Sequence, residues 1–157
     1  MLTSFRATCL VINAVLVTGP LTTGSRAPSD ACSALTKEDA TAALGEAAHG
    51  PKALSGLPAG PGATVSSCGY TGSGYHRIQL NITRLPASSV PIYKAMCGEK
   101  KNLVVSGLGE TACWYDDKHE ELHAFKGTAF LSMELNRSGN PTEAIKAVMK
   151  KALDRVR

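Results

Sequence analysis

Two segments of this chain, residues 75–85 and 128–136, carry apolar side chains at every second position. These are Ile78, Leu80 and Ile82 in the first, and Ala129, Leu131, Met133 and Leu135 in the second. Successive side chains of an extended chain point to opposite faces, so such a pattern builds one dry face and one wet face. That alternation suits an antiparallel sheet whose dry side is covered by other elements. The same period runs through Leu103–Val105, Thr111–Asp116 and Glu121–Lys126. Ala63–Thr71, followed by the turn Gly72-Ser73-Gly74, reads as the partner arm of a hairpin.

Helical signals flank these strands. Thr36-Lys37-Glu38-Asp39 is a capping-box variant, Leu35 can staple against Ala40, and Gly45 offers a C-terminal stop. Pro86 ends the second strand, Ser88 or Ser89 can cap a second helix near Pro91, and Ile92, Ala95 and Met96 form an apolar stripe. A third helix starts at Asn140-Pro141, with Ile145, Val148, Met149, Ala152, Leu153 and Val156 at helical spacing. Residues 50–62 hold three prolines and four glycines and read as a connecting loop. The expected fold is α+β, an antiparallel β-sheet with helices packed mainly on one face, in the order α-ββ-α-βββ-α. With 157 residues, 43% of them hydrophobic, the chain suffices for one core.

The first 27 residues read as a signal peptide. Arg6 gives the positive start, Cys9–Thr18 the apolar run, and small residues follow through Gly24 and Ala27. That run is too short to span a bilayer, so no transmembrane segment is expected once it is removed. Residues 28–157 then form a single secreted domain. Loss of Arg6 and Arg26 leaves 15 basic and 13 acidic groups, a net charge of +2, which lacks the strong basic field that nucleic-acid binding needs. Four cysteines remain, Cys32, Cys68, Cys97 and Cys113. Three connectivities are open to them; Cys32 with Cys68 and Cys97 with Cys113 is the favoured one. Ser29-Asp30-Ala31-Cys32 fits a lipid-attachment signal poorly, because Asp30 interrupts it and Cys32 is wanted for a disulfide.

One segment spells a catalytic motif. His119-Glu120-Glu121-Leu122-His123 matches H-E-x-x-H, in which two histidines one helical turn apart share a zinc and the glutamate acts as general base. Glu143 lies twenty residues beyond His123, and Asn136–Ile145 resembles the thermolysin family, where a glutamate in a following helix is the third ligand. That resemblance implies a zinc cofactor held by His119, His123 and Glu143, with Glu120 as base. It requires a helix, on which the imidazoles are about 6 Å apart; on a strand they are roughly 13 Å apart and no single ion joins them. Asp116-Asp117-Lys118 before the motif is polar, and the β pattern returns directly after it. The strand reading is therefore preferred, and zinc peptidase chemistry is the alternative.

The segments Cys32-Ser33-Ala34-Leu35-Thr36-Lys37, Cys68-Gly69-Tyr70-Thr71, Gly107-Leu108-Gly109-Glu110-Thr111-Ala112-Cys113-Trp114 and Leu122-His123-Ala124-Phe125-Lys126-Gly127 together resemble uncharacterised secreted and lipoprotein domains common in actinobacteria and related bacteria. That resemblance implies an exported α+β domain with its first two cysteines paired and no established catalytic residues. Neither a phosphate-binding loop nor a nucleophile elbow around Ser66, Ser67 or Ser88 is present in the sequence. Tyr70, Tyr75, Trp114 and Tyr115 are the candidates for a binding face. The functional expectation is a non-enzymatic extracytoplasmic module that binds a protein, a cell-wall component or a small ligand.

Overall fold

The computed structural model describes residues 31–99 and 103–157, so residues 1–27, the expected signal peptide, lie outside the described residues. The elements are α1 (Ala31–Ala34), α2 (Lys37–Leu44), β1 (His49–Pro58), β2 (Thr64–Thr71), β3 (Arg77–Arg84), α3 (Val90–Gly98), β4 (Thr111–Trp114), β5 (Glu121–Lys126), β6 (Ala129–Asn136) and α4 (Thr142–Arg155). The six strands form one antiparallel sheet in the order β1-β2-β3-β6-β5-β4. Two three-stranded meanders are thus joined edge to edge by β3 and β6.

Alternation decides which face is buried. Ile78, Leu80, Ile82, Leu131, Met133, Leu135, Leu122 and Ala124 all point to one side and are 0–1% exposed. Against them pack α1, α2 and the Ile145, Val148, Met149, Ala152, Leu153 and Val156 stripe of α4. The Thr36 hydroxyl accepts from the Asp39 N–H and the Asp39 carboxylate answers to Thr36, which completes the capping box. Gly45 closes α2 at φ 74°, a conformation that favours glycine.

The expected strand Leu103–Val105 is only an isolated bridge from Val104 to Cys113, and two larger expectations are corrected. The first is the loop over residues 50–62, most of which is β1, paired to β2 from His49 to Pro58. Its register shifts between His49 and Lys52 and again between Leu54 and Leu57. No alternation marked it, because an edge strand exposed along its whole length has no dry face to encode. Prolines are tolerated on such an edge, where a missing N–H interrupts no ladder. The second correction concerns α3. Its expected stripe faces out, with Ile92 66% and Met96 59% exposed, while Cys97 is the buried anchor. The helix lies on the opposite side of the sheet, over a small cluster of Ala63, Leu85, Cys97, Cys113 and Phe125 with Val90 and Phe130.

Both favoured cysteine pairs are joined, Cys32 to Cys68 and Cys97 to Cys113. The first ties α1 to β2 beneath the main core, and the second ties α3 to β4. A Cys32 sulfur bonded to Cys68 is not free to carry a lipid. Among the described residues no helix is long and apolar enough to cross a membrane.

A buried charge fastens the two ends of this domain. Asp39 is 3% exposed and receives hydrogen bonds from Lys151 (3.0 Å) and Arg155 of α4. Arg155 also donates to the Ala34 carbonyl. Burial pushes the Asp39 carboxyl up, but the hydrogen bonds from Arg155, Lys151 and Thr36 outweigh it and bring its pKa from 3.8 down to about 2. A carboxyl whose folded pKa is depressed stabilises the fold above its unfolded pKa and loses that contribution as pH falls through the folded value.

Two outcomes are expected. Asp39→Asn loses about 2 kcal/mol at neutral pH and flattens the fall in stability between about pH 5 and pH 2, as measured by denaturant unfolding across that range. Replacing the Cys32–Cys68 pair, which closes a sequence separation of 36, costs about 4 kcal/mol, against about 3 kcal/mol for Cys97–Cys113 with its separation of 16. Equilibrium unfolding of the two double-alanine variants checks the order.

Candidate functional site

The H-E-x-x-H segment is not helical. His119 lies in the β4–β5 turn at φ 59°, and His123 lies in the middle of β5. A non-glycine residue at positive φ ends any helical run, and from Glu121 onward the chain is extended. The His119 ring stacks on Trp114 with centroids 4.8 Å apart. His123 points to the opposite, outer face, where its Nε2–H donates at 2.9 Å to Glu121, whose Oε1 also accepts from the Ser132 hydroxyl at 2.8 Å. Glu143 is on the first turn of α4 and pairs with Lys146 at 2.7 Å. The polar Asp116–Lys118 stretch forms the turn itself, with the Lys118 N–H donating to the Asp116 carboxylate. The helical pairing of imidazoles on which the zinc alternative depends is therefore not formed. Among the described residues no group of three or more His, Cys, Asp or Glu is placed to hold a metal ion.

The four aromatic candidates do not make one face. Tyr70 and Trp114 are each 4% exposed and belong to the main core, because β2 and β4 turn those positions inward. Tyr75 is 93% exposed at the β2–β3 turn, and Tyr115 is exposed just past the end of β4. Tyr115 does belong to a continuous aromatic row that sequence reading missed. It runs Tyr115 to His123 (5.4 Å), His123 to Phe130 (5.0 Å) and Phe130 to Tyr93 (5.8 Å), crossing the outer face from β4 to α3. Ile92 and Met96 extend it as exposed aliphatic surface on α3.

A second constellation lies where three turns meet at one end of the sheet. Glu46 follows the close of α2, Ser73 and His76 come from the β2–β3 turn, and Ser138 follows β6. His76 Nδ1 is 2.6 Å from Glu46 Oε1, and His76 Nε2 is 3.1 Å from Ser138 Oγ. The Ser138 N–H also donates to Nε2 at 3.2 Å. Hydrogen bonds from the Ser73 hydroxyl, then from His76 and the Ser73 N–H, bring the Glu46 carboxyl from 4.5 to about 2. Gly72 lets the Glu46 carboxylate come this close; a side chain at that position would push the carboxylate aside. An open cavity of about 420 Å³ lies beside the cluster, lined by Ser73, Tyr75, His76, Asn136, Arg137 and Ser138. No local motif announces this site, because its members are 30 and 62 residues apart in the chain.

Comparison with protein-family models, with curated proteins and with solved structures gives no match to this chain.

The extended geometry at residues 119–123 has a direct chemical readout. Protein dialysed against a weak chelator is expected to hold no stoichiometric zinc by elemental mass spectrometry, and His119→Ala/His123→Ala is expected to leave that value unchanged. One zinc per chain that disappears in the double variant would contradict the strand geometry.

Proposed function

We propose that this chain is an exported interaction module, which engages a protein partner through α3 and the aromatic row on the outer face of the sheet. The observation that carries this reading is the row Tyr93–Phe130–His123–Tyr115 together with exposed Ile92 and Met96. An apolar stripe that faces water on a short helix is costly unless a partner covers it. Aromatic and methionine side chains are also the types enriched in the buried centre of protein interfaces. The Cys97–Cys113 disulfide holds α3 against β4, so the surface is rigid before binding and little ordering entropy opposes association.

Export is supported by the charged-then-apolar pattern of residues 1–27 and by two disulfides, which persist in oxidising compartments. The resemblance of the Cys32, Cys68, Cys113 and Leu122 segments to secreted bacterial domains points the same way. A partner of protein type is favoured over a cell-wall sugar, because the outer row presents apolar side chains and few free hydrogen-bonding groups.

A photo-crosslinking amino acid at Met96 or Tyr115 is expected to give one discrete protein adduct in cells that export the chain. The same probe at Lys37, on the opposite side, is expected to give none. Tyr93→Ala and Met96→Glu are each expected to weaken the adducted complex about 10- to 100-fold while leaving both disulfides intact. Equal adducts from all three positions would contradict the assignment.

A further inference from the structure

We propose that Ser138 is a nucleophile activated by His76, and that the cavity beside it accepts a small acyl ester for hydrolysis. This goes beyond the interaction reading and is independent of it, since none of its residues lies in the aromatic row. Three geometric facts support it. Ser138 Oγ is 3.1 Å from His76 Nε2, within reach for proton transfer. The Ser138 N–H donates to that same nitrogen, which therefore presents its lone pair, and the ring proton is on Nδ1 facing Glu46 at 2.6 Å. The relay thus already has the tautomer that a serine–histidine–carboxylate arrangement uses. Glu46 is held ionised by Ser73 and His76, so it is the charge that a developing imidazolium needs.

The chemistry balances without any further reactant but water. Ser138 Oγ bonds to the ester carbonyl carbon as its proton passes to His76 Nε2. The carbon–oxygen bond to the alcohol breaks, and the leaving oxygen takes that proton. Water then attacks the acyl-serine by the same route, releasing the acid and restoring the hydroxyl.

Protonation of Nε2 has a second effect, because the Ser138 N–H loses its acceptor at the moment negative charge grows on the carbonyl oxygen. That N–H becomes a donor for the oxyanion. Arg137 lines the cavity with no carboxylate paired to it among the described residues, its guanidinium donating to the Ala43 and Asn140 carbonyls instead. A positive wall of this kind favours esters whose acyl part carries negative charge.

The test is covalent labelling of the intact, oxidised protein by a fluorophosphonate and by p-nitrophenyl acetate, mapped by peptide mass spectrometry. The expected result is a single adduct at Ser138, formed at least about 100-fold faster than at the same serine in the reduced, urea-unfolded chain. His76→Gln is expected to lose that acceleration. Ser138→Ala keeps the backbone N–H to His76, and is expected to fold as the parent does and to take no label. No adduct at Ser138 in the parent protein, or equal labelling in folded and unfolded chains, would overturn the proposal whatever the variants do. Undiminished labelling at Ser138 in a folded His76→Gln variant would also overturn it.

Discussion

The pairing of β3 with β6 is the interaction on which the rest of this molecule depends. Eight residue pairs, from Arg77 with Asn136 to Arg84 with Ala129, join two meanders that are otherwise separate hairpin systems. Three of those pairs, Ile78–Leu135, Leu80–Met133 and Ile82–Leu131, put large apolar side chains opposite one another at the centre of the core. A slip of one residue would turn that whole set into solvent, so burial itself fixes the register. Every other element is positioned from this seam. On the inner side α1, α2 and α4 cover it, and the turns at its Arg77–Asn136 end carry His76 and Ser138.

The sheet has two faces that do different work. The inner face is covered by α1, α2 and α4 except along the exposed edge strand β1. The outer face is covered in part by α3, which is fixed at Cys97 and leaves Ile92 and Met96 in water. The main core thus lies on one side of the sheet, and the exposed apolar surface of α3 lies on the other, above a smaller buried cluster. Substitution at exposed outer positions such as Ile92 and Met96 leaves the inner core untouched, whereas Cys113 and Phe125 on the same face are buried under α3. Gly109 shows how tightly the margin between them is drawn: at φ 57° it passes so close to the Phe125 carbonyl that no side chain fits.

What could be read in the sequence follows from what burial encodes. β3, β5, β6 and α4 each bury one face and expose the other, so their periods of two and 3.6 stand in the residues themselves. α2 was legible for a different reason: Thr36, Asp39 and Gly45 satisfy backbone groups locally, within one turn. β1 encodes nothing of the kind, because it is held by the backbone groups of β2 and presents neither face to the core. The stripe of α3 was read from its pattern, but a pattern does not say which way it points, and the Cys97 sulfur settled that. The Glu46–His76–Ser138 cluster was beyond reach, since its three residues share no local spacing and meet only when the two meanders are joined. Ser66, Ser67 and Ser88 have no nucleophile motif around them in sequence, and Ser138 is distinguished only by its surroundings in space.

The clasp between Asp39 and Arg155 bears on how the chain comes into being. Synthesis proceeds from the amino end, so Asp39 emerges more than a hundred residues before its cation. During that interval the Ala31–Leu44 region has neither α4 nor β6 to pack against, and its carboxylate stays in water. The central seam also waits, because β6 is the last strand made. Closure of the inner core therefore waits for β6 and α4, the last two of the described elements to be made.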